Sequence, residues 1–249
     1  MKRIMTFFMI LLVGATMLSA EEFTTGGIFV QNATTNLSYT LLSKTTNLVE
    51  QIVVGKTYRL DADVMEVKTK VGESLSLTLS TELQLKVLPE STFSIDSFNQ
   101  LVVNDEGQPS TLKAEYAVTS LSLMDGEIEL ICPKLDTNSQ CILQTPLVNV
   151  NLAEGRLSIK ANPKYVILNA IEGGVVVMDS KNKRTVIDKG NLGLIIPYPG
   201  KDGQIMVTQK AISPEEFEKL TTALSDMAKT QKSVLFIVMD KKVIGVRLK

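Results

Sequence analysis

The sequence predicts a mainly β protein, a curled β-sandwich or short β-solenoid-like body followed by a small C-terminal helix and hairpin. Three observations predict it. Between 47 and 197, apolar residues take alternate positions in run after run, as in SLSLMDGEIELIC, YVILNAIEGGVVVMD and GNLGLIIP. A strand sends successive side chains to opposite faces, so a period of two marks a half-buried strand. Gly126, Gly155, Gly173, Gly174 and Gly190 break these runs where a turn or bulge needs a permissive backbone. A helical period occurs convincingly only after Ser213.

Taken in order, residues 1–20 read as an export signal. Lys2 and Arg3 form a positive start, Phe7 to Val13 an apolar centre, and Leu18-Ser19-Ala20 a small-residue cleavage site, with the cut between Ala20 and Glu21. A retained membrane anchor competes, although Gly14, Thr16 and Ser19 leave the segment short of the ~20 clean apolar residues that a span needs. No cysteine stands at the cleavage site to take a lipid. Residues 21–46 form a Thr- and Asn-rich lead-in, in which IFVQ and LSYTLL are short strands. Asn32 and Asn36 open Asn-x-Ser/Thr sequons, which in such a stretch are chance patterns outside a eukaryotic secretory pathway.

The β body is expected over 47–197. Leu75, Leu77 and Leu79 alternate with Ser74, Ser76, Thr78 and Ser80, and Leu83, Leu85 and Val87 repeat the device. Residues 99–110 read as a hairpin or projecting loop around Asp105-Glu106-Gly107, and a second series of strands runs from 113. Residues 198–249 form an appendage entered through a Pro- and Gly-rich linker at 197–203. There IMVT is a strand and Ser213 caps a helix, with Pro214 at its first position and Glu216 completing the capping box. Phe217, Leu220, Leu224 and Met227 make one stripe, which predicts docking on the β body in preference to a partner-binding surface. VLFIVM, the turn at Asp240-Lys241-Lys242 and VIGVRL close the chain as a hairpin.

Composition removes several kinds of chemistry. The 249 residues are 44% hydrophobic, ample for a core. Loss of Lys2 and Arg3 with the leader takes the 26 basic residues to 24 against 27 acidic ones, a net charge of −3. Such a surface has no general attraction for nucleic acid or anionic lipid. There is no histidine, which excludes Ser-His-Asp and Cys-His catalysis and most zinc sites. Paired carboxylates could still serve as acid and base on a saccharide. Asp61 with Asp63, and Glu127 with Glu129, stand at i and i+2 on one strand face, where a solvated strand face is the plainer account. No glycine-rich loop opens a helix with the Lys and Ser or Thr of a phosphate site, and the Asp-Gly steps lack the oxygen ligands of a calcium loop. No catalytic residue, cofactor or metal ligand is therefore expected.

The two cysteines suit an oxidising compartment. Cys132 ends GEIELIC and Cys141 begins CILQTP, so a hairpin through PKLDTNSQ would bring the thiols together as a disulfide contributing about 2–3 kcal/mol. Two free thiols are the alternative.

The body resembles the FecR-like domain of exported proteins. The resemblance is carried by Val54-Gly55, by Thr69-Lys70-Val71-Gly72 leading through the leucines to Val87, and by Pro89 and Phe93. A second block supplies Gly126, Thr145-Pro146, Gly155-Arg156-Leu157-Ser158-Ile159, Gly173 and Gly190. Val148, Arg156 and Leu157 depart from that family's pattern, which leaves the register open. The resemblance covers about residues 47–197. It implies a curled β module that binds or relays signals in the cell envelope, without the cytoplasmic anti-sigma segment of the family's regulators.

The expected function is an exported, non-enzymatic module, periplasmic or secreted, that binds an envelope protein or glycan and is not stably inserted in a membrane after signal cleavage. A structural component assembling by β-augmentation through VLFIVM is the alternative, and a carboxylate-dependent saccharide-active enzyme is a distant third.

Overall fold

The computed structural model describes residues 22–34, 37–42, 47–60, 64–102, 110–111, 116–135, 138–200, 204–231, 234–239 and 242–247. The export signal with its Ala20–Glu21 cut, Asn36, Asp61 and Asp63, the Asp105-Glu106-Gly107 turn, 201–203 and Asp240-Lys241 lie outside the described residues.

The first half of the chain contributes β1 (Glu22–Thr25), β2 (Ile28–Ala33), β3 (Ser38–Leu42), β4 (Asn47–Gln51), β5 (Thr57–Tyr58), β6 (Val64–Lys68), β7 (Leu75–Leu79), β8 (Gln84–Val87) and β9 (Thr92–Val102). The short β10 (Ser110–Thr111) precedes the long β11 (Tyr116–Cys132). The second half adds β12 (Gln140–Gln144), β13 (Asn149–Asn151), β14 (Gly155–Asn162), β15 (Tyr165–Glu172), β16 (Val175–Met178), β17 (Arg184–Ile187), β18 (Asn191–Pro197) and β19 (Ile205–Ala211). Helix α1 (Pro214–Gln231), β20 (Val234–Met239) and β21 (Lys242–Arg247) end the described chain.

These strands form two facing sheets. The first runs β4-β3-β6-β9-β11-β12-β13-β16-β17, with β1 also beside β9. The second runs β5-β2-β7-β8-β11-β14-β15-β18-β19. Strand β11 belongs to both: Tyr116–Asp125 pairs in the first sheet and Gly126–Cys132 in the second. Gly126 is the corner, at φ +101, with Ser91 so close that a Cβ would fall 2.4 Å from its Cα. Only glycine accepts both the backbone conformation and the contact. The sequence marks Gly126 as a turn or bulge, and the fold uses it to pass one continuous strand between layers.

The predicted apolar faces meet between the sheets. Leu75, Leu77, Leu79, Leu85 and Val87 of the second sheet pack in one cluster with Met65, Phe93, Ile95, Leu121 and Val150 of the first. A solenoid stacks similar coils on their neighbours; here strands distant in sequence pair across two open sheets, which is a sandwich. IFVQ and LSYTLL form strands inside this body and not ahead of it, because Ile28, Val30 and Tyr39 are needed in the core. β18 and β19 pair antiparallel, with Tyr198 N–H donating to the Gln204 carbonyl, so IMVT belongs to the second sheet. Asn99–Val102, expected in a loop, continues β9 against β1 and β11.

Two corrections concern pairing. The hairpin expected through PKLDTNSQ does not form: β12 runs parallel to the first half of β11, with Thr119 opposite Cys141, while Cys132 lies opposite Gly155 in the other sheet. Cys132 and Cys141 are both buried free thiols, and the disulfide expected between them is not formed. The physical reason is the length of β11, which carries its end into the second sheet before the chain turns back. VLFIVM is not a free edge either. It lies between β10 and β21, and Phe236 and Val238 pack with Val243 against Phe29 of β2.

Helix α1 forms as its sequence dictates. Ser213 Oγ accepts from Glu216 N–H at 3.3 Å, and the helix ends at Gln231. Leu220, Leu224 and Met227 turn inward onto Ile131, Ile171 and Leu192. The stripe is therefore filled by the outer face of the second sheet.

Candidate functional site

Alternation places a largely polar row on that outer face: Gln31, Ser76 and Thr78, Gln84 and Lys86, Glu127 and Glu129, Ser158, and Asn169. Helix α1 covers the middle of the row, contacting β8, β11 and β15. The carboxylate pair Glu127 and Glu129 lies here; Glu127 is half-buried, whereas Glu129 is covered and not on a solvated face as expected. Glu129 is only 6% exposed, 3.7 Å from Lys86 Nζ, and Glu127 Oε1 accepts from Ser158 Oγ at 3.2 Å. Burial raises the Glu129 carboxyl above its ordinary range; Lys86 opposes this, Glu127 adds to it, and Lys219 also opposes it. Glu129 Oε2 is buried without a hydrogen-bond partner among the described residues, with Lys86 as its opposite charge.

The row emerges at the C-terminal end of α1 as a cleft of about 320 Å³. Its floor is β2, β7 and β8, supplying Gln31, Asn32, Ser76, Thr78 and Gln84; Met227 and Thr230 of α1 form one wall, and Val54 lies at its rim. A bulge in β2 positions the amides. Val30 pairs with Leu77 and Asn32 with Ser76, so Gln31 is the extra residue with no residue opposite it. Bulges re-aim side chains in this way. Gln31 Nε2 donates to Thr78 Oγ1 at 2.9 Å, and Gln31, Thr78 and Gln84 are each at most 3% exposed. Asn32 is exposed and Ser76 half-buried. None of these residues carries a charge, so the cleft has hydrogen-bonding capacity without an acid or base. Sequence reasoning saw these residues only as the wet face of strands. The faint signal for them was the polar pair Gln31-Asn32 ending the apolar run Ile28-Phe29-Val30.

A second cleft, of about 360 Å³, opens beside Cys132 between Lys134, Glu154, Arg156 and Glu172. Arg156 Nε and Glu172 Oε2 pair across it at 3.1 Å. Burial pushes the Cys132 thiol up to about 12, with Glu154 adding to the shift, and burial lifts Cys141 well above the ordinary thiol value, with Cys132 adding to it. A thiol held protonated is a poor nucleophile and metal ligand. Among the described residues no helix is long and apolar enough to cross a membrane.

No family model matches the chain, and no curated protein matches it. Two crystal structures of a putative anti-sigma factor from Parabacteroides distasonis overlay in part. One has a TM-score of 0.43 and 14% identity over 64% of this chain, which spans 64% of that protein's length. The other has a TM-score of 0.42 and 10% identity, covering 75% of this chain and 100% of that one.

Proposed function

We propose that the protein is an exported, non-enzymatic binding module of the cell envelope, periplasmic or secreted, of the FecR-like kind that residues 47–197 resemble. The lining of the cleft on the second sheet carries the proposal. Amides and hydroxyls converge there with no titratable side chain among them, a chemistry that holds a ligand without transforming it. The leader at 1–20 supports export, and the lack of histidine in the whole chain supports a non-catalytic role. Cell fractionation with intact-mass measurement tests the first half: the chain is expected outside the cytoplasm, beginning at Glu21. Capture from envelope extracts tests the second, with a reproducible envelope protein or glycan expected. A cytosolic chain with its leader intact contradicts the proposal.

One observation favours assembly by β-augmentation as a second function. Among the described residues, strand β4 is an edge of the first sheet, and its Leu48 and Val49 are 52% and 65% exposed. Exposed apolar edges invite pairing with another chain. Sedimentation of wild type and Val49→Lys decides it: β4-mediated assembly predicts a larger species that the lysine dissolves.

A further inference from the structure

We infer that the protein forms a two-fold dimer in which β4 pairs antiparallel with β4 of a second copy; this rests on the β4 assembly proposed above. An apolar row of the first sheet runs out to that edge unfinished. Leu121 lies opposite Ile95, Ile95 opposite Met65, Met65 opposite Leu41, and Leu41 opposite Leu48. Leu121, Ile95 and Met65 are at most 1% exposed, and Leu41 packs partly buried against the same core. Leu48 continues the row yet is 52% exposed, with no strand beyond β4 among the described residues.

The hydrogen-bonding phase of β4 selects what can complete the row. Ile52 N–H donates to the Leu37 carbonyl at 2.9 Å, and bonded pairs alternate along an antiparallel ladder. Leu48 and Glu50 therefore spend their main-chain groups on β3, while Asn47, Val49 and Gln51 turn theirs to the open edge. A second β4 set about a two-fold axis at Leu48 places Val49 opposite Asn47 of the other copy, and Asn47 opposite its Val49. Each of these pairs exchanges main-chain hydrogen bonds. Leu48 then meets Leu48 as a non-bonded pair, where facing side chains stand closest. The core row closes across the axis, and one self-complementary patch serves both copies.

Charge does not oppose this pairing. Glu50 is the single charged residue of β4, and the Tyr39 hydroxyl donates to its carboxylate. In this register the two Glu50 residues stand about 13 Å apart along the strands, beyond the ~8 Å over which charges act in physiological salt. The other ends of the two sheets are guarded where β4 is not. At β17, Gln209 Nε2 donates to the Val186 carbonyl at 2.6 Å and Gln209 Oε1 accepts from Asp188 N–H at 3.3 Å. At β5, Gly245 N–H of the closing hairpin donates to Thr57 Oγ1. The outermost strand β19 presents exposed Thr208, Gln209 and Lys210, and an edge lysine discourages pairing.

Sedimentation velocity on protein purified from the compartment it occupies tests the inference. One short strand pair buries less than a standard interface, so a dimer is expected to appear over about 10–500 µM. Leu48→Cys treated with oxidised glutathione is expected to give a disulfide-linked dimer, since a facing non-bonded pair stands within bridging distance. Gln51→Cys sets the two thiols about 20 Å apart and should stay unlinked. Cys132 and Cys141 are buried and do not compete, and melting temperatures confirm that both variants fold. A monomer at every concentration overturns this pairing together with the β4 assembly. The two-fold pairing alone falls, with β4 assembly standing, if Val49→Lys dissolves a species that grows past a dimer. It falls in the same way if Leu48→Cys fails to link, or links no better than Gln51→Cys.

Discussion

Cys132 and Cys141 show how far a residue's chemistry depends on where its strand leads. Each ends or begins a strand in a plausible hairpin, yet the two are delivered to different sheets and sealed in the core as free thiols. Burial holds both protonated, so at about pH 8 an alkylating reagent should label neither in the folded chain and both in urea. An unreduced, urea-unfolded chain that takes no label would show instead that export closes the bond. Glu129 gives a second prediction. Its carboxyl is raised by burial, so the folded state keeps a proton that the unfolded chain has released. Stability contributed at Glu129 is therefore present below the ordinary carboxylate pKa and falls as pH climbs from there to the raised value. Glu129→Gln cannot ionise and should escape that decline. Its urea midpoint is expected to rise relative to wild type as pH climbs above the ordinary glutamate pKa of about 4; parallel curves would refute this.

Helix α1 is the element most fully legible in the sequence. Ser213, Pro214 and Glu216 state its start, and Phe217, Leu220, Leu224 and Met227 its buried stripe, because caps and periodicity are local. Its packing gives it weight: Leu224 is fully buried against the second sheet. Leu224→Ala should cost about 2–4 kcal/mol in chemical denaturation and Ser213→Ala about 1 kcal/mol. Equal small losses would mean that the helix is not held to the sheet. Strand β11 is the opposite case. Its apolar alternation is plain, but the same pattern is compatible with two strands meeting at a turn. The crossing at Gly126 depends on Ser91, 35 positions away in the chain, whose Oγ accepts from Glu127 N–H at 2.9 Å. No local signal announces that partner.

Across the whole molecule, the C-terminal elements bind the two halves of the sandwich on one face. Helix α1 covers β8, β11 and β15, and the β20–β21 hairpin reaches back to β2. Phe29 is buried by Phe236, Val238 and Val243, and Gly245 N–H donates to Thr57 Oγ1 at 2.9 Å. Removing residues 233–249 should therefore lower stability by at least about 2 kcal/mol, the value of one buried aromatic, while leaving oligomeric mass unchanged. Reduced mass without lost stability would return the hairpin to an assembly role.

By itself the sequence determined the β class, the inward leucines and the capped helix, since alternation, turn residues and caps record each residue's relation to water and to its near neighbours. Only the tertiary structure decided which strands share a sheet, that the cysteines stay apart from any hairpin, and that Glu129 lies beneath a helix. It alone also gathered Gln31, Asn32, Ser76, Thr78 and Gln84 beside Met227. Taken singly, these polar residues have the pattern of any wet strand face. Their convergence rests on contacts such as Gln31 to Thr78, 47 positions apart, and pairing over that distance is settled by the packing of the whole chain.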